Sequence, residues 1–257
     1  LPAKRPPRRR PGESLSSYVQ RTYRDISSSR SFSRFSVKIS ETDLYVLADS
    51  DLKTLALESA HQFRSQIEEY IRIHPEFRTS LVPLLNDPLA PPVVREMIAA
   101  SGAAGVGPMA TVAGAIAEQV GRALLPHTSN VVVENGGDIY LNTKENITVG
   151  IFAGPSSLSG RIALRISAAE TPVGVCTSSG TVGHSLSFGT ADAVCIKSKS
   201  TALADAAATA VGNLIRTRAD VGKGIARAMS IEGVLGVLIV AGDTLAVQGA
   251  MELAETR

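Results

Sequence analysis

Val131-Val-Val-Glu-Asn-Gly-Gly-Asp-Ile-Tyr-Leu141 is a pair of apolar runs hinged on a polar tetrapeptide, and its reading decides the fold. The flanks at 131–133 and 139–141 are β-branched, aromatic or leucine, the residue types that fit a pleated surface. Between them Asn135-Gly136-Gly137-Asp138 supplies two residues free to take positive φ, which a tight connection between antiparallel strands requires. The stretch is therefore predicted to be a hairpin. Its turn leaves backbone N–H groups beside a carboxylate, a surface suited to a phosphate or a ribose, although the motif alone says no more than hairpin.

Downstream, residues 147–153, 161–167 and 172–176 read as successive strands punctuated by Gly, Pro and Ser, as in a meander. Residues 176–189 form a polar, hydroxyl-rich loop that carries His184, and 191–197 is a further strand. An alanine-dense helix follows at 201–215, then a shorter helix at 222–229 and a hairpin of 234–240 with 245–247.

Upstream, Met109, Val112, Ala113, Ile116, Val120 and Leu124 share one stripe of a buried helix, reached through the Gly-rich segment 101–108. That segment matches neither the P-loop nor the dinucleotide-binding glycine pattern. A helix is expected near 93–100, and the Pro-punctuated stretch before it has room for a short strand at most. Leu55, Ala60, Phe63, Ile67, Tyr70 and Ile71 recur at helical spacing after Leu52, up to the stop at His74-Pro75. Strands fit 35–39 and 42–47.

The chain has 257 residues and a hydrophobic fraction of 44%, enough for a sizeable core. No apolar run approaches the roughly 18 residues of a membrane span, and the start lacks the apolar segment of a signal peptide, so a cytoplasmic protein without a membrane partner is expected. Cys176 and Cys195 form neither a disulfide framework nor a metal spacing and read as buried free thiols. Residues 1–38 hold ten Lys or Arg against Glu13 and Asp25. This composition predicts a flexible basic leader at 1–16 ahead of one domain at 17–257. Nucleic-acid binding is disfavoured, because neither an aromatic stacking pattern nor a helix-turn-helix accompanies the charge. His61, His74 and His127 read as exposed or capping residues without a chemical role.

Asp205 and Thr209 stand four residues apart on the apolar helix 201–215 and so share a face. A carboxylate there needs compensation. A helix cap would supply it, and so would a hard cation, for which carboxylate, hydroxyl and backbone carbonyls are suitable ligands.

Asn135-Gly-Gly-Asp138, Thr177-Ser178-Ser179-Gly180 and Ala202-Leu-Ala-Asp-Ala-Ala-Ala-Thr209 occur in an order that resembles the ApbE flavin transferase family over about residues 105–215. The resemblance implies an α+β fold of antiparallel sheets covered by helices, ApbE-like and T-fold-related. It also implies FAD or FMN held with Mg2+, the flavin lying on Asn135, Gly136, Gly137, Asp138, Thr177, Ser178, Ser179 and Gly180. The ion would sit on Asp205 and Thr209, with carbonyls from Ala208 and from Ala115 in the turn 114–117. The implied chemistry is transfer of FMN from FAD to a Thr or Ser of an acceptor protein, or hydrolysis of FAD to FMN and AMP.

His184 stands where the family places a His-Ile-Ile-Asp-Pro motif, and its imidazole is suited to general acid or base work near neutrality. Here Ser185-Leu-Ser-Phe-Gly189 follows it, so the family's Asp and Pro are missing, and Glu118-Gln119 replaces a Lys-Gly of the earlier helix. A catalytically silent carrier on the same scaffold is one alternative, and an interaction protein using the basic leader is another. A homo-oligomer is left open.

Overall fold

The computed structural model describes residues 26–28, 31–180 and 189–255. The chain opens with β1 (Ile26–Ser28), β2 (Ser33–Ile39), β3 (Thr42–Ala48), α1 (Lys53–Ile73), α2 (Glu76–Thr79) and α3 (Pro92–Ala104). A 3-10 turn, Pro108–Thr111, leads into α4 (Val112–Leu124), followed by β4 (Val131–Asn135), β5 (Asp138–Asn142), β6 (Ile147–Ile151) and β7 (Ile162–Ile166). Next come β8 (Val173–Ser178), β9 (Ala193–Ser198), α5 (Thr201–Leu214), α6 (Val221–Met229), β10 (Val234–Ala241), β11 (Thr244–Gly249) and β12 (Glu252–Glu255).

These strands make two sheets with antiparallel pairing throughout: eight strands in the order β11-β10-β9-β8-β5-β4-β3-β2, and four in the order β1-β6-β7-β12. Helices cover one face of the large sheet and the small sheet covers the other. The fold is thus α+β, as expected, and the central hairpin lies within the large sheet.

Both faces of the large sheet are buried, which explains the unbroken apolar run of β4. Val131 and Val133 join the cluster formed with α1, α3 and α4, whereas Val132 joins Ile139, Leu141, Val149 and Leu164 between the sheets. Farther along, Val194, Ile196, Val237 and Ile239 pack with the alanines of α5. A fully buried Val or Leu contributes about 1.5–3 kcal/mol relative to exposure, so both interlayer cores are large terms in stability. No single helix among the described residues is long and apolar enough to cross a membrane.

Four details differ from the sequence reading. The strands after the hairpin are not one meander: β6 and β7 leave for the small sheet, and β8 returns beside β5. The burial explains the division, since β6 alternates buried and half-buried positions while β8 is buried from Val173 through Cys176. The segment before α3 holds the short helix α2 and no strand, in keeping with Pro83, Pro88, Pro91 and Pro92. Ser101–Ala104 of the Gly-rich segment completes α3, which ends on Gly105 at φ 78°. Thr177 and Ser178 are the last residues of β8 rather than loop.

Candidate functional site

Gly136 (φ 71°) and Gly137 (φ 104°) form the two-residue turn that joins β4 to β5, with Asn135 paired to Asp138 across it. Positive φ at both central positions matches the twist of antiparallel strands and is nearly strain-free only for glycine. The Gly137 N–H donates to Glu134 Oε1 (2.8 Å), and the Thr177 N–H donates to the Gly137 carbonyl (3.2 Å), which ties the turn to β8. Asn135 Nδ2 donates to the Ala113 carbonyl (3.1 Å), which ties it to the first turn of α4.

From the other side α5 reaches the same place. It runs along β8 in the same direction: the Cys176 thiol donates to the Thr201 carbonyl (3.3 Å), and Gly212 lies against Ser178 near the far end. Gly114 allows α4 to touch α5 closely, since a Cβ there would stand 2.5 Å from the Thr201 carbonyl oxygen and 2.9 Å from Asp205 Cβ. In this close approach Asp205 Oδ2 accepts the Gly114 N–H (2.9 Å). The otherwise uncapped N-terminus of α4 is therefore held by a carboxylate from α5.

Burial raises the Asp205 carboxyl to about 7, with the N–H groups of Gly114 and Ala113 acting in the opposite direction. No lysine or arginine is among the causes. Cys176 pairs with Asp138 in the β5–β8 register. Its thiol is pushed well above its ordinary value first by burial, then by the Asp138 and Asp205 carboxylates. Both acids therefore converge on this thiol, which is buried and non-nucleophilic.

Asn135, Gly136, Gly137, Asp138, Thr177 and Asp205 thus gather around the N-terminus of α4. Ser178 and Ser179 are half-buried and Gly180 is exposed just beyond. Thr209 is half-buried one turn further along α5, on the side of Gly212 and Ser178. Ala208 and Ala115 are fully buried on α5 and α4, where only their backbone is polar. His184 and the basic leader lie outside the described residues. Among the described residues no group of three or more His, Cys, Asp or Glu could hold a metal, so any ion here would rely on hydroxyl and carbonyl oxygens as well.

Two contributors escaped the sequence reading. Cys176 was taken only as a buried thiol, although it directly precedes Thr177. Glu118, 2% exposed on α4, accepts the Thr201 N–H (2.7 Å) and pairs with Arg122. Burial raises its carboxyl, against the pull of Arg122 and Thr201. A carboxylate among the apolar residues of a predicted buried helix was the available signal.

The family model described as "AbpE bacteria" matches residues 24–253, and the chain belongs to that ApbE-like family. A UPF0280 protein of Methanococcus aeolicus is 41% identical over 213 residues, covering 80% of this chain and 86% of the relative. A UPF0280 protein of Methanocaldococcus jannaschii is 42% identical over 199 residues, covering 75% and 81%. Among solved structures, the apo flavinyl transferase ApbE of Pseudomonas stutzeri superposes with a TM-score of 0.57 at 15% identity, over 85% of this chain and 94% of that one. A variant of the Vibrio cholerae flavin transferase ApbE gives 0.56 at 14% identity, over 86% and 98%. At such identities the likeness is one of fold.

Proposed function

We propose that this chain binds a flavin nucleotide, FAD or FMN, together with magnesium where the β4–β5 turn, the end of β8 and the α4–α5 pair meet. The observation that carries the reading is the convergence of three sequence-distant motifs on the N-terminus of α4, with Asp205 held there at a raised pKa of about 7. A half-buried carboxylate partnered by N–H donors favours a cation, which would stabilise its charged form. The donor set fits a hard ion: the Asp205 carboxylate and Thr209 hydroxyl, completed by the carbonyls of Ala208 and Ala115. Bound magnesium would neutralise charge on a pyrophosphate.

The chain's own groups do the rest. The hydroxyls of Ser178 and Ser179 and the turn's N–H groups other than that of Gly137, which Glu134 holds, would donate to phosphate or ribose, and Asn135 is held in place by the Ala113 carbonyl. In the reaction we propose, a Thr or Ser hydroxyl of an acceptor protein, or water, forms a bond to the FMN phosphorus while the pyrophosphate P–O bond breaks and AMP leaves. His184 takes the hydroxyl proton.

A second reading, a silent flavin binder, is favoured by the Ser185-Leu-Ser-Phe-Gly189 sequence in place of the family's Asp and Pro. Ser185 or Ser187 would orient the imidazole less firmly than a carboxylate does. One experiment separates the two: purified protein is incubated with FAD, with and without magnesium, and with an acceptor fragment. A flavin absorbance change together with AMP and either free FMN or a flavin-labelled acceptor on chromatography supports the enzyme, and the absorbance change alone supports the binder. Neither signal would reject the flavin site.

A further inference from the structure

We propose that Glu118 is a positioning residue for this site, because it forms with Asp205 a reciprocal clamp in which each of two helices holds the other's N-terminus. Asp205 of α5 accepts the Gly114 N–H in the first turn of α4, and Glu118 of α4 accepts the Thr201 N–H that opens α5. Each carboxylate lies four residues beyond the N–H held by its partner: Glu118 after Gly114, Asp205 after Thr201. Four residues is just over one helical turn, so α4 and α5 run antiparallel with the two contacts about 6 Å apart along the axes. Gly114 lets the helices meet at that distance, because the Thr201 carbonyl oxygen would stand 2.5 Å from any Cβ there.

The two arms differ in their charge partners. Glu118 is ion-paired to Arg122, which also reaches Glu96 (3.3 Å), while Gln119 donates to the other oxygen of Glu96 (2.6 Å). Asp205 is raised by burial, with only the α4 amides of Gly114 and Ala113 opposing it. Glu118 is therefore the complete arm. Together with the Ser200 cap on the Leu203 N–H it holds the start of α5, and Asp205 sits one turn into that helix, so its oxygens are aimed through a contact one turn away on the same interface. Hydrogen bonds from backbone N–H to buried carboxylates hold geometry tightly, because neither partner can be satisfied elsewhere.

The positioning role rests on the flavin reading, whereas the clamp itself does not, and the test has an arm for each. Amide hydrogen exchange is followed by NMR on the full chain, and FAD affinity with and without magnesium by calorimetry. In Glu118→Ala the Thr201 amide exchanges faster, and so does the Gly114 amide across the pair, by about tenfold or more, while Leu164 in β7 keeps its parental protection. Glu118→Gln retains an acceptor oxygen and restores Gly114 to near the parental rate. Magnesium-dependent FAD affinity falls about 10-fold or more in Glu118→Ala, as for residues that orient metal ligands, and recovers in Glu118→Gln. Should the alanine variant fail to fold, Glu118→Asp, one methylene too short to reach Thr201, takes its place with the same expectation. Unchanged Gly114 protection overturns the clamp. Faster Gly114 exchange with unchanged affinity overturns the positioning role. A parent that binds no FAD rejects the flavin site and leaves the clamp to the exchange data.

Discussion

Asp205 and Asp220 perform the same local task, both half-buried but with different partners. Each accepts backbone N–H groups at the start of a helix: Asp205 from Gly114, and Asp220 from Arg216 (3.2 Å) and Thr217 (3.0 Å). Asp220 is also bonded to the Thr217 hydroxyl and to Lys223 (3.2 Å), and these partners, Lys223 foremost, draw its carboxyl down to about 2. Asp205 has N–H donors and, among the described residues, no lysine or arginine in the causes of its shift, and burial carries it up to about 7. The pair teaches that N–H donors alone do not offset desolvation of a carboxylate. The sign of the shift follows the balance of burial against partners: Glu118 is raised by burial even though it is paired with Arg122.

The largest expected effect comes from closing the space beside Asp205. Gly114→Ala would gain about 1 kcal/mol of helix propensity. Against that, its methyl meets the Thr201 carbonyl at 2.5 Å, and overpacking of this kind costs about 1–3 kcal/mol. The expected outcome is a melting temperature several degrees lower and lost magnesium-dependent FAD binding. A variant as stable and as active as the parent would show that the helices can separate freely.

Asp205→Asn follows. FAD affinity in magnesium should fall at least about tenfold, equivalent to about 1.4 kcal/mol, with little change when magnesium is absent. The pH dependence has a definite sign. The folded-state value of about 7 exceeds the ordinary 3.8, so the native state holds this proton more tightly than the unfolded chain does. The stabilising contribution of protonated Asp205 is complete below about pH 4 and is lost as pH rises through about 7. Melting curves of the metal-free proteins should therefore show the parent losing ground to Asp205→Asn across that interval. A constant difference would mean that Asp205 is solvated.

Asp220→Asn is the counterpart, with a smaller effect and the opposite sign. Its folded value of about 2 lies below the ordinary 3.8, so its contribution is present above about pH 4 and is lost as pH falls through about 2. At neutral pH the variant should melt slightly lower than the parent and bind FAD equally well. The smallest signal is a null one. Burial raises the Cys195 thiol to about 12 and the Cys176 thiol well above its usual range, so neither should react with a thiol reagent in the folded protein at neutral pH. Reaction at Cys176 before unfolding would reveal water beside Asp205.

Much of the architecture was readable in the chain because its signals are local. The Gly-Gly turn has one economical conformation, the stripe of α1 repeats for five turns, and the run Val131–Val133 leaves neither sheet face for solvent. The adjacency of β6 and β7 was readable as part of a meander, but their departure into a separate sheet with β1 and β12 was not. Short alternating strands accept many partners, and the choice is made by which face remains uncovered. The same division holds at the site. Residue types and their order pointed to Asn135–Asp138, to Thr177 and to Asp205, while the link between Asp205 and Gly114, 91 residues apart, has no trace in local spacing.

The sequence by itself determined which groups are chemically apt: a glycine turn beside a carboxylate, a hydroxyl-rich strand end, and an acid on an apolar helix. Tertiary structure alone decided what those groups experience. Desolvation, acting against the amides of α4, gives Asp205 a value near 7, where Asp220, also half-buried but bonded to Lys223 and Thr217, has one near 2. A side chain's identity is local, but its free energy of ionisation is set by everything packed around it.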